Sequence, residues 1–239
     1  MRHHKLRDKL RDCIFPFVLP LSGIKIKYRL NVINKCNTIP GKPTIYACNH
    51  SQFSDIPMAV KAIGKRCYIL LGKQKLYITD YIFFNLLGAV WVDRKDKKDR
   101  AVIKNKILNI LDRGQSVLWF PEGTWNLSDN LLMLPMRWGI IEVADKAQAQ
   151  IVPMAIQYDR KTKECFVKFA EPIYGDYRKG IQMLRNIMAT LRWELMGEFS
   201  NVVVRDEVGH QRMEVEKNEI IKEYPPLDWE YEKSVIYKK

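Results

Sequence analysis

The chain has 239 residues and a formal net charge of +13, with 40 lysines and arginines against 27 acidic residues. That length suits one domain with a sizeable core, and no apolar run reaches the roughly eighteen residues of a membrane-spanning helix. The five cysteines (Cys13, Cys36, Cys48, Cys67, Cys165) are odd in number and contain no Cys-x-x-Cys, which argues against a disulfide framework or a zinc site and for reduced thiols in the cytosol.

The basic excess is local. From Arg205 onward there are seven basic and nine acidic residues, so the cationic surplus sits on the preceding part of the chain. Such a surface suits anionic partners: lipid headgroups, nucleic acid or phosphorylated substrates. At the start, Arg2, Lys5, Arg7, Lys9 and Arg11 lead into an apolar stretch, Cys13 to Ile24, which contains Pro16 and Pro20 and is followed by Lys25, Lys27 and Arg29. A signal peptide would show a small-residue cleavage site in place of that second basic cluster. The pattern fits an interfacial segment, apolar side chains dipping into a bilayer edge between cations that meet anionic headgroups. A segment packed on the core is the alternative.

Apolar, β-prone runs then alternate with helical patterns. Thr44–Cys48, Cys67–Leu71, Ala89–Val92, Ser116–Phe120 and Ile151–Ile156 read as buried strands. Residues 55–64, 75–87, 97–113 and 138–148 read as helices; in the third, Val102, Ile103, Ile107, Ile110 and Leu111 recur at helical spacing. The alternation predicts an α/β fold, a mostly parallel central sheet flanked by helices. Phe166–Phe169 reads as a further strand at an edge, and 179–198 as a long amphipathic helix with Met183, Leu184, Ile187, Met188, Leu191 and Leu195 on its apolar face. From 205 the chain is polar.

Two runs carry the chemistry. Asn49-His50-Ser51-Gln52-Phe53-Ser54-Asp55 follows the first buried strand, and Phe120-Pro121-Glu122-Gly123-Thr124 follows the fourth. In open α/β sheets, ligands bind beyond the carboxyl ends of the strands, where both runs fall. A histidine oriented by a carboxylate takes a proton from a hydroxyl; of the four histidines, His3 and His4 lie in the N-terminal arm and His210 in the polar tail, leaving His50. An N-capping Asp55 and a core His50 would be the structural alternative. Between the runs, Gly88 opens a strand that ends at Arg94, whose planar fork suits a phosphate.

Together these runs resemble the glycerolipid acyltransferases, the lysophosphatidic acid acyltransferase-like family. The resemblance spans about 44–156: Asn-His-x4-Asp at Asn49, His50 and Asp55, a glycine-led strand ending at Arg94, Phe-Pro-Glu-Gly-Thr at 120–124, and Ile151-Val152-Pro153-Met154. It implies an O-acyltransferase in which His50 is the general base and Asp55 its partner. It also implies that Asn49, Lys73, Arg94, Glu122, Gly123 and Thr124 serve the acceptor site. The donor is acyl-CoA or acyl-ACP, with no metal and no cofactor. The partners are a lysophospholipid, the anionic membrane surface and acyl carrier protein, with no nucleic acid. The expected place is cytoplasmic, peripheral on the inner face of the cell membrane. The expected organisation is an N-terminal membrane-interface segment at 1–35, the acyltransferase domain at 36–200 and a polar arm at 201–239.

One position departs from the family. Where it usually has an arginine that helps to hold the acceptor's phosphate, this chain has Trp125. Lys73, Arg94 and Arg137 remain as cations; the acceptor is then lysophosphatidic acid, or a non-phosphorylated lipid or glycan hydroxyl stacked on Trp125. Competing enzyme classes lack their signatures. There is no Gly-x-Ser-x-Gly elbow, and the pair Gly175 and Gly180 is followed by Ile181 where a phosphate-binding loop needs lysine. A non-catalytic binder of anionic membranes or nucleic acid would explain the charge, but no nucleic-acid module is present.

Overall fold

A computed structural model of the chain describes residues 2–21, 28–34, 36–128, 132–175, 177, 180–197, 215 and 217–222. Seven strands form one sheet in the order β1-β7-β6-β2-β5-β3-β4. They are β1 (Arg29–Val32), β2 (Thr44–Cys48), β3 (Tyr68–Gly72), β4 (Ala89–Val92), β5 (Val117–Trp119), β6 (Gln150–Asp159) and β7 (Glu164–Phe169). β6, β2, β5, β3 and β4 run parallel, β7 is antiparallel to β6, and β1 pairs with β7 in parallel. The α/β class with a mostly parallel sheet is as the sequence predicts.

β2 lies at the centre and is buried along its whole length. Its side chains alternate between the two faces. Tyr46 and Cys48 join Leu118, Phe120, Val152 and Met154 under α2 (Asp55–Ile63) and α3 (Ile78–Leu87). Ile45 and Ala47 join Val117, Trp119 and Ile151 under α4 (Lys97–Asp112), α5 (Gly139–Ala147) and α6 (Gly180–Gly197). Burial on both faces explains why this strand reads as a continuous apolar run.

The differences from expectation have local causes. β1, not foreseen, is the true edge strand, so β7 lies one position inside it. α3 starts at Ile78 rather than 75, because the Lys73 amide continues the sheet by donating to the Val92 carbonyl at 2.8 Å and Leu76 is drawn into an apolar cluster around Trp125. β6 outruns its predicted end and reaches Asp159 through its antiparallel pairing with β7.

The N-terminal stretch forms α1 (Arg2–Leu21), with Pro16 and Pro20 inside it; residues 22–24 of the expected interfacial segment lie outside the described residues. α1 packs on the core along one side and leaves apolar side chains exposed along another. Val18 is buried against the core with Ile14 and Phe15 beside it, while Leu6, Leu10 and Phe17 are exposed. Among the described residues, no helix is long and apolar enough to cross a membrane. Polar contacts hold α1 as well. Asp12 pairs with Arg66 at 2.5 Å. Asp8, buried, accepts a hydrogen bond from the Tyr68 hydroxyl and pairs with Arg113 at 2.9 Å. Burial opposes its ionisation, but Tyr68 and Arg113 outweigh that and hold its carboxyl below the usual range.

Replacing Asp8 with Asn should therefore lower stability by about 1–3 kcal/mol at neutral pH, two charge-assisted bonds being lost at a buried site. A depressed carboxyl pKa gives stability that is present above the ordinary value and lost as pH falls through the folded one. The difference in denaturation midpoint between wild type and D8N should accordingly shrink as pH is lowered into the carboxylate range. A constant difference would show that the charge on Asp8 is not what holds α1.

Candidate active site

The parallel strands deliver their C-terminal ends to one edge of the sheet. Asn49-His50 follows β2, Lys73 follows β3, Arg94 stands just past β4, and Phe120–Thr124 follows β5. Asn49 closes the gap beyond the last β2–β6 pair: its side chain accepts from the Ile156 amide at 2.7 Å and donates to the Ile156 carbonyl at 3.0 Å. Expected at the acceptor site, Asn49 is fully buried with both ends of its amide used on backbone, so it fixes the strand end from which His50 departs.

His50 Nδ1 lies 2.9 Å from Asp55 Oδ2. The same oxygen accepts the backbone amides of Ser51 at 2.5 Å and Gln52 at 2.9 Å. Asp55 is fully buried at the first turn of α2, and no side-chain cap bond is made by Ser54. The carboxylate thus ties the turn 50–55 into a loop closed on the imidazole. Its surroundings stay neutral: burial, reinforced by the Asp55 charge, pushes the Cys48 and Cys165 thiols and the Tyr158 hydroxyl far up. The imidazole is stacked on Phe120, with centroids 4.4 Å apart, and tilted against Trp125 at 5.3 Å. His50 is 9% exposed, so the ring is held on three sides and reaches solvent by one margin.

Glu122, also expected to meet the acceptor, is fully buried beneath the turn. Its two oxygens accept the His50 amide at 3.0 Å and the Leu134 amide at 2.7 Å. Burial pushes its pKa up to about 7, against the pull of the Leu134 amide, Arg192 and His50. Gly123 takes φ +71°, a conformation that favours glycine, and its carbonyl accepts from Arg94 Nη1 at 2.6 Å. Arg94 in turn lies over Gly72, where a Cβ would stand 2.6 Å from its Nε. Lys73 is paired with Asp99 at 3.5 Å and is more than half exposed. Thr124 is buried. Trp125 is 4% exposed and packs with Leu127, Phe53, Leu76 and Ile220, which leaves little of its face for stacking on a sugar.

Several supporting residues were not foreseen. Arg185 and Arg192, seven apart and hence two turns apart on α6, donate to the carbonyls of Met133 at 2.9 Å and Leu132 respectively. They clamp the segment whose Leu134 amide engages Glu122. Arg160 donates to Gln52 at 2.9 Å and pairs with Glu219 at 3.1 Å; Glu219 and Ile220 belong to a helical turn at 217–222, so part of the polar arm reaches the site. The remainder of 201–239 lies, apart from residue 215, outside the described residues. The seven-residue spacing of Arg185 and Arg192 was visible in the sequence; nothing local marked Arg160 or Glu219.

A histidine–carboxylate pair, flanked by cations and apolar walls, thus stands at the carboxyl ends of the parallel strands. The family model described as Acyltransferase matches residues 29–157, more than half of the chain, and the chain belongs to that family. It is 26% identical over 227 residues to the 1-acyl-sn-glycerol-3-phosphate acyltransferase of Saccharomyces cerevisiae, covering 92% of this chain and 71% of that one. It is 26% identical over 172 residues to the human 1-acyl-sn-glycerol-3-phosphate acyltransferase alpha, covering 65% and 60%. Against the Neisseria gonorrhoeae enzyme of the same name it is 27% identical over 132 residues, covering 55% and 49%, so the chain spans about half to two thirds of these two relatives. The crystal structure of the 1-acyl-sn-glycerophosphate (LPA) acyltransferase PlsC from Thermotoga maritima superposes with a TM-score of 0.63 at 17% identity, covering 82% of this chain and 85% of that one. That likeness establishes the fold.

The ionisation of Glu122 gives a signed test of its burial. With a folded pKa of about 7 against an ordinary 4.5, the folded state holds a proton that the unfolded state has released. Rising pH between those values therefore favours unfolding. E122Q carries no such proton, so its melting temperature relative to wild type should rise from pH 5 to pH 7 and level off above. A relative melting temperature that stays constant over that interval would show that the Glu122 pKa is not raised.

Proposed function

We propose that this protein transfers a fatty acyl group from an acyl thioester of coenzyme A or acyl carrier protein to the free hydroxyl of a lysophosphatidic-acid-like acceptor. The observation that carries this reading is the contact of His50 Nδ1 with the fully buried Asp55, at 2.9 Å. With Nδ1–H donated to the carboxylate, Nε2 keeps its lone pair and accepts the proton of the acceptor hydroxyl. The oxygen attacks the thioester carbonyl, the tetrahedral intermediate expels the thiolate, and the proton passes from the imidazolium to the departing sulfur. Asp55 stabilises the imidazolium as it forms. Ser51 stands 3.5 Å from both Asp55 oxygens and is not needed as a nucleophile. The relatives named for acylglycerol phosphate acylation support the acceptor class.

H50A should reduce thioester-dependent acylation of lysophosphatidic acid by roughly 10²–10⁴-fold, the usual worth of a general base. D55N should lose a comparable amount by releasing the tautomer. Both are measured as thiol released from acyl-CoA, alongside a thermal melt. Turnover by H50A close to that of wild type would eliminate the proposed base.

The same reading places the protein at the cytoplasmic surface of the membrane. α3 exposes Ile78, Tyr81, Ile82 and Leu86 at helical spacing, and the adjoining α1 exposes Leu6, Leu10 and Phe17. Arg11 sits beside them, donating to the Asn85 carbonyl at 3.3 Å. Ile78 follows Lys73 by five positions, so an apolar face embedded there sets the acceptor's headgroup against the cationic edge of the sheet. I78D/I82D should remain folded and fail to sediment with vesicles of phosphatidylglycerol and phosphatidylcholine that carry down the wild type. Equal sedimentation would move the membrane contact elsewhere.

A further inference from the structure

The residue at position 125 has no route to an anion. It lies within an apolar cluster closed by Phe53, Leu76, Leu127 and Ile220, and its indole carries no charge. In lysophosphatidic acid the reacting hydroxyl is on the carbon next to the one bearing the phosphate ester. Cations that hold the phosphate must therefore stand close to the base. His50 is tied to the 120–126 turn twice, through its amide to Glu122 and through its carbonyl to the Asn126 amide at 2.6 Å. A phosphate ligand should consequently be sought on that turn.

Two guanidinium side chains meet the turn at one residue. Arg94 donates to the Gly123 carbonyl at 2.6 Å. From the other side of the sequence, Arg137 is anchored by its own amide to the Pro121 carbonyl at 2.7 Å. Its Nε and Cγ lie 3.4 and 3.5 Å from where a Gly123 Cβ would stand, so the side chain runs in van der Waals reach of the turn. Arg137 is exposed, and among the described residues its guanidinium enters no hydrogen bond or ion pair. Lys73, by contrast, is engaged by Asp99 at 3.5 Å.

We propose that Arg137, lying over Gly123 beside Arg94, takes the place of the arginine that Trp125 replaces and binds the phosphate monoester of the acceptor. This rests on the lysophosphatidic-acid-like reading given above. Arg94, spending Nη1 on the Gly123 carbonyl, fixes the turn and adds charge; Arg137 offers its planar fork to two phosphate oxygens. The charge has moved twelve positions along the chain while staying on the same turn, which frees position 125 to carry the apolar contact with Ile220.

The test compares acylation of oleoyl lysophosphatidic acid with that of monooleoylglycerol, which lacks the phosphate, using oleoyl-CoA as donor. The proteins are wild type, R137Q, R137K and the control K98A, which removes an exposed charge at the start of α4. For R137Q the KM for lysophosphatidic acid should rise on the order of 10- to 100-fold, the worth of a lost charged hydrogen-bond pair, with kcat within about threefold. R137K should recover part of the loss, and rates on monooleoylglycerol should not change. A KM for R137Q equal to that of wild type and K98A would overturn the proposal. So would an equal loss on both acceptors at unchanged melting temperature, since a phosphate ligand acts only where there is a phosphate. A wild-type protein that acylates neither acceptor would instead refute the parent reading, before any Arg137 variant is compared.

Discussion

Asp55 is a carboxylate with no exposure to solvent, and a buried charge persists only where donors replace the water it has lost. Here the nearest donors are two successive backbone amides and one imidazole, all within 2.9 Å of a single oxygen, with the Ser51 hydroxyl 3.5 Å from both oxygens. The same three contacts that make the charge tolerable set the loop 50–55, start α2 and orient His50. Stability and chemistry thus share one group. The ring of groups held neutral around it, Cys48, Cys165 and Tyr158, keeps that charge from being divided among several acids.

Around this centre the protein uses polar side chains mainly on its own backbone. Asn49 completes the ladder between β2 and β6, and Glu122 bridges the His50 amide to that of Leu134. Arg185 and Arg192 reach from α6 to carbonyls of the same 132–134 segment. These bonds span more than fifty residues of sequence in most cases, and they join the two core layers across the site edge. A histidine held this way is fixed before any ligand arrives, which is where preorganised sites gain over water.

Much of this was legible in the sequence because strand and helix patterns are local. β2 announced itself as a five-residue apolar run, α4 by its helical repeat, and the Asn49–Asp55 and Phe120–Thr124 runs by their composition. What was not legible depends on long-range pairing. β1 is four residues long, with its apolar positions Leu30 and Val32 set in a basic stretch, and becomes a strand through β7. The roles of Asn49 and Glu122 could not be read from residue type either. An amide and a carboxylate beside a catalytic histidine look like substrate ligands until their partners, Ile156 and Leu134, are brought in by the fold.

Trp125 shows how a change of one side chain is absorbed by distant parts of a chain. An arginine there would have to leave the cluster of Phe53, Leu76, Leu127 and Ile220 or be buried in it without a counter-charge. Tryptophan instead contributes apolar area on both sides, against the imidazole and against the turn at 217–222. That turn is held a second time, by Glu219 on Arg160, and Arg160 holds Gln52 within the Asp55 loop. The wall beside His50 is thereby built from all three thirds of the chain together. At the neighbouring turn, Arg94 and Arg137 both lie against Gly123, and the absence of a Cβ at Gly72 is what admits Arg94.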